Sequence, residues 1–165
     1  MFEKQELVRF GHCDPAGIVF YPRYFEMVNA LVEDWFTQGL GVDYSVLLGQ
    51  RRIGMPTVQF KVDFKRISRM GDQLSQQIRV QKLGRTSLIL AIEFHGADGV
   101  MEPPHLPLRA RPPGGEPVNL GRPGVDLRVA FEQVLVCTSL ETHLPIPFPD
   151  DLRAALELCS DGNDN

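Results

Sequence analysis

Between Tyr24 and Phe36 the apolar side chains fall at Tyr24, Phe25, Met27, Val28, Leu31, Val32, Trp35 and Phe36. This is the i, i+3, i+4, i+7 spacing of one helix face, and at about 100° per residue it takes up roughly half the circumference. A stripe that wide exceeds what a surface helix needs, so the helix is expected to lie embedded against a sheet. Pro22 suits the first turn, where a missing N–H costs nothing, and Gly39 and Gly41 are expected to end the run. Asn29 falls at the border of the apolar arc, with Glu26 and Glu33 on the polar side.

The remaining pattern predicts strands. Phe2 to Phe10 is β-compatible, and residues 11–21 form a loop feeding the helix. After a polar connection, Thr57 to Ile67 alternates, with Phe60, Val62 and Phe64 on one face and Lys61, Asp63 and Lys65 on the other, as in a half-buried strand. Turn pairs at Gly71-Asp72 and Gly84-Arg85 separate strands at Leu74–Leu83 and Ser87–Phe94, which reads as an antiparallel meander. A last strand is expected at Leu127–Thr138 and a short helix at Asp151–Leu158, with Asp150 as its cap.

Residues 103–124 differ in kind, holding seven of the 13 prolines together with Gly114, Gly115, Gly121 and Gly124. Such a stretch cannot be a central strand. It predicts a surface insertion, at about 97–126, in a single domain covering residues 1–160, with a frayed tail at 161–165.

Composition narrows the function. A chain of 165 residues, 43% hydrophobic and 23% charged, is one domain's worth and buries a core without disulfides or metal. Seventeen Lys and Arg against 21 Asp and Glu give a charge of -4, which opposes broad attachment to nucleic acid or anionic lipid. Cys13, Cys137 and Cys159 form no CxxC pair, and no stretch approaches the ~20 apolar residues that span a bilayer, so a reducing, cytoplasmic setting is expected. The four histidines lack zinc-site spacing, and no Walker loop, dinucleotide fingerprint or GxSxG elbow occurs, so neither metal nor redox cofactor is expected.

The chemistry concentrates ahead of the long helix. Asp14 precedes Pro15-Ala16-Gly17 and an aromatic run into the helix start, where unpaired N–H groups can polarise a carbonyl. A carboxylate beside such donors can attack an activated ester, a thioester above all, or activate water. The competing reading is that Asp14 only forms an Asx-turn or caps the helix. Cys13 reads as a packed thiol, and His12 as a residue that tunes Asp14 or lines the loop.

The string from Phe10 to Tyr24, FGHCDPAGIVFYPRY, resembles the opening of 4-hydroxybenzoyl-CoA thioesterases and related acyl-CoA thioesterases of the hot-dog superfamily. The match is specific at Asp14, Pro15, Ala16, Gly17, Tyr21, Pro22 and Tyr24. It resumes at FEQVLVC and LPIPFPDDLRAALE and departs over 103–124. The resemblance implies an α+β hot-dog fold, a curved antiparallel sheet wrapped around one long helix, in agreement with the element order. It implies hydrolysis of a small aryl or short-to-medium acyl-CoA thioester, with Asp14 as nucleophile or general base. The backbone N–H of Tyr21 would polarise the carbonyl, and Gly17 would let the loop approach closely.

Where the hydroxybenzoyl enzyme binds the ring hydroxyl with a helix carboxylate, this chain has Asn29, either a reader of a polar acyl group or a solvated border residue. The basic cluster after the third strand is thinned to Lys82 and Arg85. Arg85 is the candidate for the coenzyme A phosphates, against the reading of an exposed turn arginine. Because one helix on one sheet leaves an apolar flank and an unpaired edge, a homodimer with its sites at the seam is expected, and the resemblance implies that dimers can pair into a tetramer. The rivals are an acyl-thioester hydratase or dehydratase, and an acyl-CoA-binding sensor or subunit without turnover.

Overall fold

The computed structural model describes residues 1–97 and 126–161. The embedded helix is α1, Tyr21–Asp34, and its face continues through a wider, π-type turn at Trp35–Gly39. Tyr24, Met27, Val28, Leu31, Val32, Trp35 and Phe36 are all buried, so the arc seen in the sequence is the arc that is covered.

The cover is a five-stranded antiparallel sheet of β1 (Phe2–Leu7), β3 (Thr57–Phe64), β4 (Gln73–Leu83), β5 (Ser87–Gly96) and β6 (Leu127–Val136). Their order is β1-β4-β5-β6-β3. Alternate residues turn one face inward: Leu74, Gln76, Ile78 and Val80, then Leu88, Leu90, Ile92 and Phe94, then Val129, Phe131, Gln133 and Leu135. Phe25 meets Phe60 edge-on at 5.3 Å and Phe131 at 6.0 Å, while Tyr24 lies 6.2 Å from Phe94. At the other end Asp34 pairs with Lys4 of β1, so α1 crosses the sheet from its β3 edge to its β1 edge.

The expected meander is corrected in one respect. Strand β3 does not pair with β4; it pairs with β6, setting Phe60, Val62 and Phe64 opposite Gln133, Phe131 and Val129. Pairing there extends the apolar face under Phe25, a gain that local turn residues cannot reveal. Gly71-Asp72 therefore ends a crossing segment rather than a hairpin, and residues 65–72 pass three strand spacings, about 14 Å, across one end of the sheet.

Boundaries also shift. Phe10 leaves β1 for a short 3-10 turn, Tyr21 rather than Pro22 opens α1, and Asp150 lies inside α3 (Asp150–Asp161) rather than capping it from outside. The polar connection contains a further short helix, α2 (Tyr44–Gly49), capped by Asp43, which accepts from the Val46 N–H at 3.1 Å. A two-residue strand β2 (Ile53–Gly54) pairs with β7 (Thr138–Ser139). The Pro/Gly-rich stretch 103–124 and residues 162–165 lie outside the described residues. Among the described residues no helix is long and apolar enough to cross a membrane.

The crossing segment is secured by ions. Arg128, at the start of β6, donates from Nη1 to the Ile67 carbonyl and to Asp72, both at 2.8 Å. Its Nε and Nη2 reach Asp126 at 2.9 and 2.7 Å, and Arg66 also pairs with Asp126 at 3.0 Å. Burial pushes the Asp126 carboxyl up, but its bonds to Arg128 and Arg66 outweigh that and hold it below the usual aspartate range. The folded state thus binds this proton less tightly than the unfolded chain. The stabilisation is complete above the ordinary aspartate pKa and fades as pH falls through the depressed value. Thermal melts are expected to change little near neutrality and to drop below about pH 4, with a shallower drop in Asp126→Asn; an equally steep drop in that variant would contradict the assignment.

Candidate active site

Residues 12–20 form a small hairpin at the entrance to α1. The Phe20 N–H donates to the His12 carbonyl at 2.9 Å, Cys13 bridges Val19, and the Asp14 N–H donates to the Ile18 carbonyl at 3.0 Å. At the tip the Gly17 N–H returns to the Asp14 carbonyl at 2.9 Å. Gly17 sits at φ +77°, a conformation that side chains rarely adopt, with open space where a Cβ would stand. The requirement at this position is therefore conformational, since nothing crowds the residue.

Asp14 divides its two oxygens. Oδ1 accepts the Ala16 N–H at 2.8 Å, the Asx-turn that the competing reading foresaw. Oδ2 meets no donor among the described residues. Asp14 makes no bond to the start of α1, so turn formation uses half of the carboxylate and helix capping uses none.

The helix start leaves one donor over. The Phe20 N–H is taken by His12, Pro22 has none, and the Arg23 N–H is taken by the Phe20 carbonyl at 2.8 Å. Tyr21 is the first helical residue, and its N–H has no acceptor among the described residues. Asp14 pairs with Ile18 in the hairpin, three residues before that amide, about 10 Å by strand rise. One carboxylate oxygen and one backbone N–H thus remain unpaired at the same end of α1. The side chains around them are apolar and open: Phe20 is 45% exposed, Tyr21 60%, Ile67 46% and Met70 54%.

The neighbours do not compete for the chemistry. His12 turns its Nδ1 back to the Arg9 N–H at 3.0 Å. For Cys13, burial and the nearby Asp14 and Asp72 charges raise the thiol pKa, against a lowering bond from Met70. The sulfur is thus an un-ionised, packed thiol. Cys137 is buried, which pushes its thiol up to about 11. Among the described residues no group of His, Cys, Asp and Glu is arranged to hold a metal ion.

Asp14 and Gly17 share the hairpin tip, and Tyr21 opens the helix that follows the hairpin. Asn29 lies eight residues further along α1, about 12 Å from Tyr21, and is exposed. Arg85 is exposed in the β4–β5 turn, at the opposite end of β4 from the crossing segment, about 33 Å away by strand rise. One chain does not bring it to Asp14. The sequence reading missed Ser68, which is 1% exposed, accepts the Tyr24 hydroxyl at 2.9 Å and offers its carbonyl to the Val19 N–H at 2.9 Å. The only local signal was a serine next to a predicted strand, and its partners lie 44 and 49 residues away.

Residues 8–156 match the sequence model of the thioesterase-like superfamily, and the chain belongs to that family. Over 86 residues it is 28% identical to a 4-hydroxybenzoyl-CoA thioesterase of Pseudomonas sp. strain CBS-3, covering 52% of this chain and 61% of that protein. A 1,4-dihydroxy-2-naphthoyl-CoA hydrolase of Synechococcus elongatus is 26% identical over 85 residues, covering 51% and 62%. These alignments span less than two thirds of each relative's length. In three dimensions the chain superposes on a 1,4-dihydroxy-2-naphthoyl-CoA thioesterase from Synechocystis with a TM-score of 0.72 at 16% identity, covering 94% of both chains. The fold is the hot-dog, as the opening motif implied.

Proposed function

We propose that this protein hydrolyses the thioester bond of an aryl or short-chain acyl-CoA at the Asp14 turn. The observation that carries this reading is the pair of unpaired groups, Asp14 Oδ2 and the Tyr21 N–H, at the open start of a buried helix. Family membership supports it, as do the aryl-CoA activities named for the two relatives.

With the substrate carbonyl oxygen on the Tyr21 N–H, charge developing on that oxygen is met by a fixed donor and by the positive end of α1. Two routes then balance. As nucleophile, Oδ2 bonds to the carbonyl carbon, the C–S bond breaks to release the thiolate, and water cleaves the resulting anhydride. As general base, Asp14 takes a proton from water while the water oxygen bonds to carbon, and the departing thiolate recovers a proton. Either way one water is consumed, and a carboxylic acid and coenzyme A thiol are formed. Neither route transfers electrons to an acceptor or calls on a metal. Hydration or dehydration by a basic His fits less well, because His12 accepts the Arg9 N–H at Nδ1, which puts the proton of the neutral ring on Nε2 and leaves that nitrogen a donor rather than a base.

The proposed active unit is a homodimer. Among the described residues the outer edges of β1 and β3 are unpaired, the rim of the Asp14 turn is apolar, and Arg85 can meet the phosphates of a substrate at Asp14 only if another copy supplies it. Asn29 is the residue proposed to face a polar acyl substituent.

Asn at position 14 keeps an oxygen for the Ala16 N–H but removes the negative charge, so Asp14→Asn separates chemistry from turn structure. The expected result is a ~10²- to 10⁴-fold loss of kcat on a panel of aryl- and alkyl-CoAs, with the fold and acyl-CoA binding kept. Equal thiol release by the variant rejects the assignment, and tight binding without release by the wild type favours the non-enzymatic rival. Light scattering at micromolar concentration is expected to give a dimer or tetramer mass; a stable monomer contradicts the shared site.

A further inference from the structure

The Asp14 hairpin does not hold its own position. Its outer strand leans on residues 68 and 69: Val19 bonds to the Ser68 carbonyl and Ile18 bridges Arg69. The Tyr24 hydroxyl fastens the same Ser68 to α1. The supporting segment is no part of a main sheet strand or helix. It is shaped by its own turn, in which the Asp72 N–H donates to the Arg69 carbonyl at 3.0 Å and the Arg69 N–H to the Asp72 carboxylate at 2.9 Å. Gly71, at φ +93°, occupies the position of this turn that disfavours side chains.

Among the described residues this segment is tied to the sheet on both sides. On one side Val8 exchanges backbone bonds with Gly71 and Asp72 at 2.8 and 2.9 Å. On the other, Arg128 holds the Ile67 carbonyl and the Asp72 carboxylate from one guanidinium, itself steadied by Asp126. The Arg128 side chain is 17% exposed and that of Asp72 14%, so the contact is largely shielded from water and salt. A planar fork can satisfy three acceptors in fixed directions, whereas an ammonium supplies the charge without that geometry.

We infer that Arg128 is a positioning residue for the reaction at Asp14. It sets the Ile67–Asp72 segment, and the backbone of that segment sets the hairpin against the start of α1. The inference rests on the proposed role of Asp14 and names a residue that touches neither substrate nor reacting atoms. Its effect is on geometry, where a displacement of about 1 Å costs ~10²-fold in rate.

The test combines steady-state kinetics of Arg128→Met and Arg128→Lys on an aryl-CoA thioester with hydrogen–deuterium exchange of the same proteins, well below their melting temperatures. Arg128→Met is expected to lose about 10- to 100-fold in kcat with KM little changed. Exchange is expected to accelerate in residues 12–20 and 67–72 while β5 stays protected. Arg128→Lys is expected to recover part of kcat; if the methionine variant does not fold, the lysine variant decides by the same split. Wild-type kcat in the folded variants overturns the inference, and so does faster exchange spread equally through β5, which marks general destabilisation. Unchanged turnover in Asp14→Asn, run alongside, is the separate failure of the proposed function.

Discussion

Burial of the broad apolar face of α1 is the constraint from which the rest follows. Each fully buried Leu, Val or Phe contributes roughly 1.5–3 kcal/mol, whereas a typical hydrogen bond contributes about 1 kcal/mol net. The seven buried residues from Tyr24 to Phe36 therefore decide where the helix lies. The hairpin ahead of it adjusts to that placement. Because α1 begins over the β3 side of the sheet and crosses towards β1, its first turn starts with an amide that has no acceptor among the described residues.

Polar groups around that end are used sparingly. The hairpin satisfies the amides of Asp14, Gly17, Val19 and Phe20 through its own bonds and those of the crossing segment. Asp14 serves as turn former through one oxygen and stays available through the other. The structural and chemical readings of this aspartate are thus compatible, since they concern different atoms. The same division holds one level out: Ser68 spends its hydroxyl on Tyr24 and its carbonyl on Val19, joining helix, hairpin and crossing segment at one buried residue.

Much of this was legible in the sequence for definite reasons. Helix periodicity located α1, alternation located β3, and the turn pairs bounded β4 and β5, because each depends on residues near one another in the chain. The turn at Asp14 and Gly17 and the helix start near Tyr21 were legible because they lie within eight consecutive residues. What the sequence hid was long-range. Pairing of β3 with β6 is rewarded by Phe25 meeting Phe60 and Phe131, a three-way contact that no local window contains. Arg128 and Asp72 are 56 residues apart, and each alone looks like an ordinary charge at a strand end. Arg85 was a reasonable phosphate candidate by residue type, but its place at the far end of β4 makes that role depend on a second copy.

The most direct test is a crystal structure of the protein with an aroylmethyl thioether of coenzyme A, in which a methylene between sulfur and carbonyl prevents hydrolysis. The ketone oxygen is expected within hydrogen-bond distance of the Tyr21 N–H, and Asp14 Oδ2 facing the carbonyl carbon directly or across one water. A ligand seated elsewhere, or a carbonyl turned away from both groups, contradicts this arrangement.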